Sequence, residues 1–160
     1  MKSILLACGL ALAPVLLQDF GSLDRVPEKN RQYVAYAAEP QSIPAGKRAE
    51  LEVRFRVLDG FHVNSHLPSS ELLIATRLEL EAAPGVKSAP AEYPAGKSYS
   101  FSFDPGNKLD VYADDFTVRL PVTATAGAHE LKGSLLYQAC DKAACYPPRS
   151  LPVTIFFTAK

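Results

Sequence analysis

Tryptophan is absent from this 160-residue chain, methionine occurs only as Met1, and there are just three cysteines and three histidines. The missing tryptophan removes a hallmark of antibody-type domains, so any inference in that direction is limited to architecture. Net charge is missing too. Seventeen Lys and Arg balance seventeen Asp and Glu, which leaves no electrostatic case for a nucleic-acid partner or a polybasic membrane foot. There is no glycine-rich phosphate cradle, nucleophile elbow or histidine-containing metalloprotease motif, and no convincing amphipathic helix. The one long uncharged apolar run, Ile4 to Leu17, is too short to span a bilayer.

That run instead has the length of a signal-peptide core, with Lys2 as a minimal positive n-region. Residues 1–18 therefore read as a signal peptide of an exported protein. The one small-x-small pattern, Ala11-Leu12-Ala13, is followed by Pro14 and leaves the cleavage point unplaced. Leu5-Leu6-Ala7-Cys8 resembles a lipoprotein box, but it lies too near the start and the apolar run continues beyond it, which argues against a lipid anchor. Removal of the leader leaves Cys140 and Cys145, an even count in an oxidising compartment.

Residues 19–31 are polar and aperiodic, a linker or loosely held arm, and residues 32–160 read as one domain. Gln32 to Ala38 is a first strand. In the clearest one, Leu51, Val53, Phe55 and Val57 alternate with Glu50, Glu52, Arg54 and Arg56, so one face is core and the other wet. Asp59-Gly60 is a turn, Phe61 to Asn64 resumes in extended form, and Ile74 to Glu81 is strand-like. Pro-Ala-Gly-Lys occurs twice, at 44–47 and 94–97, and reads as one turn device reused. Tyr99 to Phe103, Leu109 to Tyr112, Phe116 to Val122, Leu131 to Gln138 and Leu151 to Thr158 supply the remaining strands. Eight or nine short strands with prolines at their edges predict an all-β domain, an immunoglobulin-like β-sandwich.

Chemistry concentrates in Tyr137-Gln138-Ala139-Cys140-Asp141-Lys142-Ala143-Ala144-Cys145-Tyr146-Pro147-Pro148. A ring this small contributes only about 2 kcal/mol as a crosslink, against roughly 4 to 5 for a loop of a hundred residues. A short bond in a loop between two strands can open and close with little effect on the fold, as a redox couple requires; a local structural clip is the alternative. Lys142 favours a thiolate in the ring and Asp141 opposes it, with a net effect the sequence leaves open. His62, Asn64 and His66 share one side of an extended chain, and with the cysteines they raise the question of a soft metal. A histidine pair on a strand reads more simply as a satisfied polar cluster, so neither metal nor cofactor is expected. Asp104, Asp114 and Asp115 read as solvated loop.

Tyr137-Gln138-x-Cys140 followed by Cys145-Tyr146-Pro147-Pro148, with Asp59-Gly60-Phe61-His62 and Val111-Tyr112 in support, resembles the N-terminal periplasmic domain of the DsbD thiol:disulfide interchange proteins over roughly Asn30 to Lys160. The resemblance implies an immunoglobulin-like fold, a reversible disulfide, and an electron relay between thioredoxin-fold partners and other exported thiol proteins. It implies that Cys145 forms mixed disulfides with partners and Cys140 resolves them, with His62, Asn64, Tyr137 and Tyr146 flanking the pair. Members carry aromatics at the positions of His62 and Asn64, and the cysteine ring here looks one residue shorter. Two roles follow for His62: accepting a thiol proton, or packing on the disulfide in place of an aromatic. The family also covers its disulfide with an aromatic cap loop; Tyr99, Phe101 and Phe103 are the candidates. Complete members continue into a membrane domain and a thioredoxin domain, whereas this chain stops at Lys160, so a separate membrane electron donor is expected. The other outcome is a non-catalytic β-sandwich interaction module with a structural disulfide.

Overall fold

Alternation of buried and exposed residues runs the length of the strand Ala49–Val57 in the computed structural model, which describes residues 31–102 and 104–160. The expected leader 1–18 and most of the arm 19–31 lie outside the described residues, as does Phe103. Among the described residues there are twelve strands and no helix: β1 Val34–Ala37, β2 Gln41–Ile43, β3 Ala49–Val57, β4 His62–Asn64, β5 Arg77–Leu80, β6 Val86–Ser88, β7 Lys97–Phe101, β8 Asp104–Tyr112, β9 Asp115–Ala124, β10 Gly127–Tyr137, β11 Ala139–Cys140 and β12 Arg149–Ala159. They form three four-stranded sheets, ordered β1-β3-β9-β6, β2-β12-β10-β5 and β11-β4-β8-β7. The pairing is antiparallel except where β2 joins β12 in parallel.

The first two sheets face each other as an immunoglobulin-like sandwich. Leu51, Val53, Phe55, Val118, Leu120 and Val122 from one sheet meet Leu131, Leu135, Val153, Ile155 and Phe157 from the other in a single core. Each such side chain contributes about 1.5 to 3 kcal/mol on full burial, which makes the period-2 pattern decisive for which way a strand faces.

Long strands follow the expectation; short ones and turns depart from it. β2, β6 and β11, of three, three and two residues, are too brief to show any period. The expected strand from Ile74 begins only at Arg77, because the residues before it are tied to the loop: Thr76 N–H donates to Ser65 O at 3.0 Å and its hydroxyl to Asn64 O at 2.5 Å. The two Pro-Ala-Gly-Lys copies are not the same device. Gly46 has φ 67°, as a tight turn requires, but Gly96 has no positive φ. What its missing side chain leaves room for is the Asp110 carboxylate, which would have to shift if a Cβ stood there. Asp104 and Asp115 open β8 and β9 rather than lying in loops, and Asp114 sits in the turn between them. Asp115 binds Arg56 at 2.7 Å and Asp114 binds Lys97 at 2.6 Å, both as exposed pairs.

Candidate functional site

β10 and β12 form a long hairpin in register from Gly127↔Ala159 to Tyr137↔Arg149. Beyond Tyr137 the chain leaves this sheet. Ala139 and Cys140 become β11 and pair with Val63 and His62 of β4, at the edge of the third sheet. The chain then folds back, so that Cys145 bridges Cys140, Asp141 N–H donates to Ala144 O at 2.9 Å, and Tyr146 N–H donates to Ala139 O at 2.8 Å. Cys140 and Cys145 are joined as a disulfide with their Cα atoms 3.9 Å apart.

The two sulfur-bearing residues differ sharply in access. Cys140 is 0% exposed, whereas Cys145 is an exposed residue of the loop. Directly opposed residues on an antiparallel pair project to one face with Cβ atoms about 4.5 to 5.5 Å apart. Cys140 therefore shares a face with His62, as Asn64 does with Val111 and Tyr99 with Leu109. Cys140, His62, Leu109 and Val111 are buried but stand outside the main core, while the alternating residues Ala139, Val63 and Tyr112 belong to it. The Cys140 half of the disulfide thus lies in a second, smaller buried layer on the far face of the third sheet, and the Cys145 half at its surface.

Tyr99 and Phe101 cover that layer. Their rings lie 3.9 and 5.8 Å from the His62 ring and meet each other edge-on at 5.4 Å. Residues two apart on a strand face the same side, and Tyr99 and Phe101 both turn toward His62 across a shift in the β7–β8 register. His62 is only 3% exposed. It is therefore enclosed by the aromatics rather than merely lying along the sulfurs, and burial lowers its pKa below the usual histidine value, partly offset by the Asp141 charge.

Asp141 organises the ring. One carboxylate oxygen accepts the N–H groups of Ala143 and Ala144 at 2.7 and 2.9 Å, and the other accepts the Tyr146 hydroxyl at 2.7 Å. The Tyr146 hydroxyl is the main cause, with the two amides, of an Asp141 pKa lowered to about 2. Tyr146 in turn stacks on Tyr33 at 4.9 Å and meets Phe61 edge-on at 6.0 Å. Tyr137 lies deeper: it is fully buried and its hydroxyl joins Tyr33 N–H at 2.9 Å to the Gln32 side-chain oxygen at 2.7 Å. Asn64 reaches the hairpin through Gln138, whose side-chain oxygen accepts from Asn64 Nδ2 at 3.1 Å while its Nε2 donates to Tyr146 O at 3.2 Å.

Sequence reasoning passed over Tyr33, quoted Gln138 and Phe61 in its motifs without giving them a role, and left the role of Asp141 open. The signal for Asp141 was an aspartate two and three residues before the amides it caps, an Asx-turn pattern. His66 goes elsewhere, stacked on Tyr93 at 3.7 Å with Nδ1 against Thr76 O. The extended-chain expectation that it shares a site with His62 therefore fails where the strand ends at Asn64. Among the described residues no three His, Cys, Asp or Glu side chains cluster as metal ligands, and no helix is long and apolar enough to cross a membrane.

The family model described as "Thiol:disulfide interchange protein DsbD, N-terminal" matches residues 30–155. The chain is 24% identical over 122 residues to the thiol:disulfide interchange protein DsbD of Actinobacillus pleuropneumoniae serotype 5b (strain L20), covering 76% of this chain and 17% of that protein. It thus spans about a sixth of that relative's length. Among solved structures it is similar to the DsbD N-terminal domain of Neisseria meningitidis in the reduced form, with a TM-score of 0.44, 21% identity, and coverage of 68% of this chain and 81% of that one. It is also similar to a chain from the complex between the DsbD N-terminal and PilB N-terminal domains of the same organism, with a TM-score of 0.48, 19% identity, and coverage of 82% and 87%.

Proposed function

The chain belongs to the family of DsbD N-terminal domains, and on that premise we propose that it is an exported, periplasmic thiol–disulfide interchange protein that passes reducing equivalents through a reversible Cys140–Cys145 disulfide. Thiol–disulfide interchange is the chemistry of the family; the relay, its residues and its partners are the proposal. One observation carries it: the two cysteines of a single small ring differ in access, Cys145 exposed and Cys140 buried. A bond of this kind offers one sulfur to a partner and keeps the other for closing the ring. Cys145 is then the residue that joins a partner, and Cys140 the one that releases it. Thioredoxin-fold proteins suit the partner role because their own cysteine pairs present one accessible sulfur, and the PilB complex of a similar domain lends support. Residues 1–18 are the proposed export signal.

With Cys140→Ser, Cys145 is expected to capture a thioredoxin-fold partner as a stable mixed disulfide visible on a non-reducing gel. Absence of any adduct, where an established relay domain forms one in parallel, overturns the reading. Titration against a glutathione buffer separates it from a structural clip: a bond that stays closed below about −300 mV is a clip.

A further inference from the structure

Two polar side chains on the face that carries Cys140, Leu109 and Val111 keep a shielded atom with no partner among the described residues: Asn64, through Oδ1, and His62, through its ring nitrogen Nε2. An unsatisfied buried nitrogen is unfavourable and calls for a reason. The groups packed around it supply one. Across the ladder on β11 stands Cys140. Over the ring from β7 stand the Tyr99 phenol and Phe101. From the hairpin, the Asp141 carboxylate acts on it through space, while Lys142 is exposed. A neutral imidazole in this enclosure stands across the ladder from a cysteine whose thiol, once the disulfide opens, is itself cut off from water and from any solvent base.

We infer that His62 is the general base for Cys140, taking its proton through Nε2 when that thiol closes the ring and releases a partner. This rests on the proposed interchange function. In the mixed disulfide, Cys145 Sγ is bonded to the partner sulfur and Cys140 carries its proton. The proton passes to His62, and the Cys140 thiolate attacks Cys145 Sγ. The Cys140–Cys145 bond forms as the bond from Cys145 to the partner breaks, and the partner sulfur leaves with the electron pair as a thiolate. The imidazolium, held meanwhile by the Asp141 charge, returns its proton to that thiolate or to water. The cysteine pair is oxidised by two electrons and the partner's disulfide, opened in the preceding attack by Cys145, is reduced by two.

The test uses the reduced protein and 5,5′-dithiobis(2-nitrobenzoate), whose reaction releases one coloured thiolate when Cys145 attacks and a second when Cys140 closes the ring. In stopped flow, the second phase at pH 7 should be at least about tenfold slower in both His62→Phe and His62→Gln, with the first phase unchanged within about twofold. Phe keeps the ring stacking on Tyr99 and Gln keeps a hydrogen-bonding group, so neither packing nor polarity alone explains a loss in both. The wild-type second phase should be flat through neutral pH and fall on acidification below the ordinary histidine range near 6.5. The variants should rise with pH until they meet it above the thiol range near 8.5. A second phase as fast in both variants as in wild type overturns the inference and leaves the interchange function standing. So does a wild-type rate that climbs about tenfold per pH unit from 6 to 8, which needs no variant to fold. A wild-type protein that releases only one thiolate overturns the interchange reading itself, and the inference with it.

Discussion

Tyr137→Phe removes one oxygen from the middle of the domain and leaves the ring in place. That oxygen accepts the Tyr33 amide at 2.9 Å and donates to the Gln32 side chain at 2.7 Å, and both Tyr33 and Tyr137 are buried to within 1%. Substitution takes away the acceptor that Tyr137 offers the Tyr33 N–H, a loss of roughly 1 to 3 kcal/mol for a buried donor. Volume and apolar contact hardly change, so no cavity adds to this. The expected destabilisation of the oxidised protein is about 2 kcal/mol, a Tm lowered by roughly 5 to 10 °C. Urea unfolding measures it directly, with an unchanged slope if only the native state is affected. Gln32→Ala is the companion: Gln32 is half-buried, within reach of water that replaces its oxygen, so the loss should stay below about 1 kcal/mol. A Tyr137→Phe protein within about 0.5 kcal/mol of wild type would refute the argument that this hydroxyl is what satisfies the start of β1. Because Tyr33 stacks on Tyr146, the same variant should also loosen the cysteine hairpin, seen as faster amide exchange at Tyr146.

Asp141→Ala should speed hydrogen exchange of the Ala143 and Ala144 amides by at least about tenfold, as the loss of a side-chain cap frees both donors. In wild type the sign follows from a carboxyl pKa lowered to about 2: the protection is complete above the ordinary carboxylate range near 4 and disappears as pH falls toward 2, and protection that persists at pH 2 would contradict this. At alkaline pH, Tyr36, Tyr93, Tyr112 and Tyr137 all have pKa values raised by burial. Their contribution to stability is therefore fully present below pH 10 and lost as pH rises through the folded values; urea midpoints that hold constant well above pH 11 would refute it. Gly133→Ala places a methyl group against the Glu79 carbonyl and the Leu80 backbone of β5, so thermal unfolding should show a loss of about 1 to 3 kcal/mol, and an unchanged Tm would mean β5 does not sit tightly on β10.

Local chemistry is what the residues could announce alone. The four apolar side chains of β3 alternate with four charged ones, and burial energy leaves such a strand one way to face. Asp59-Gly60 and Pro44 to Lys47 mark turns because glycine accepts positive φ, as Gly60 and Gly46 do. Cys140 and Cys145 lie five apart, near enough to close a ring whatever surrounds them. What the ring does to its two sulfurs depended on contacts far away in the chain. β11 has two residues and no readable period, and its departure from β10 to an open edge beside β4 is decided by pairing across more than seventy positions. That single change of sheet buries Cys140, sets it opposite His62 and leaves Cys145 in the loop outside. The same distance effect separates the two Pro-Ala-Gly-Lys segments, identical in sequence, one shaped by its own backbone and the other by the Asp110 side chain that lies against it. Periodicity and turn preference act over a few residues, and the edge a short strand finds is set by which backbone groups the rest of the fold has left unpaired.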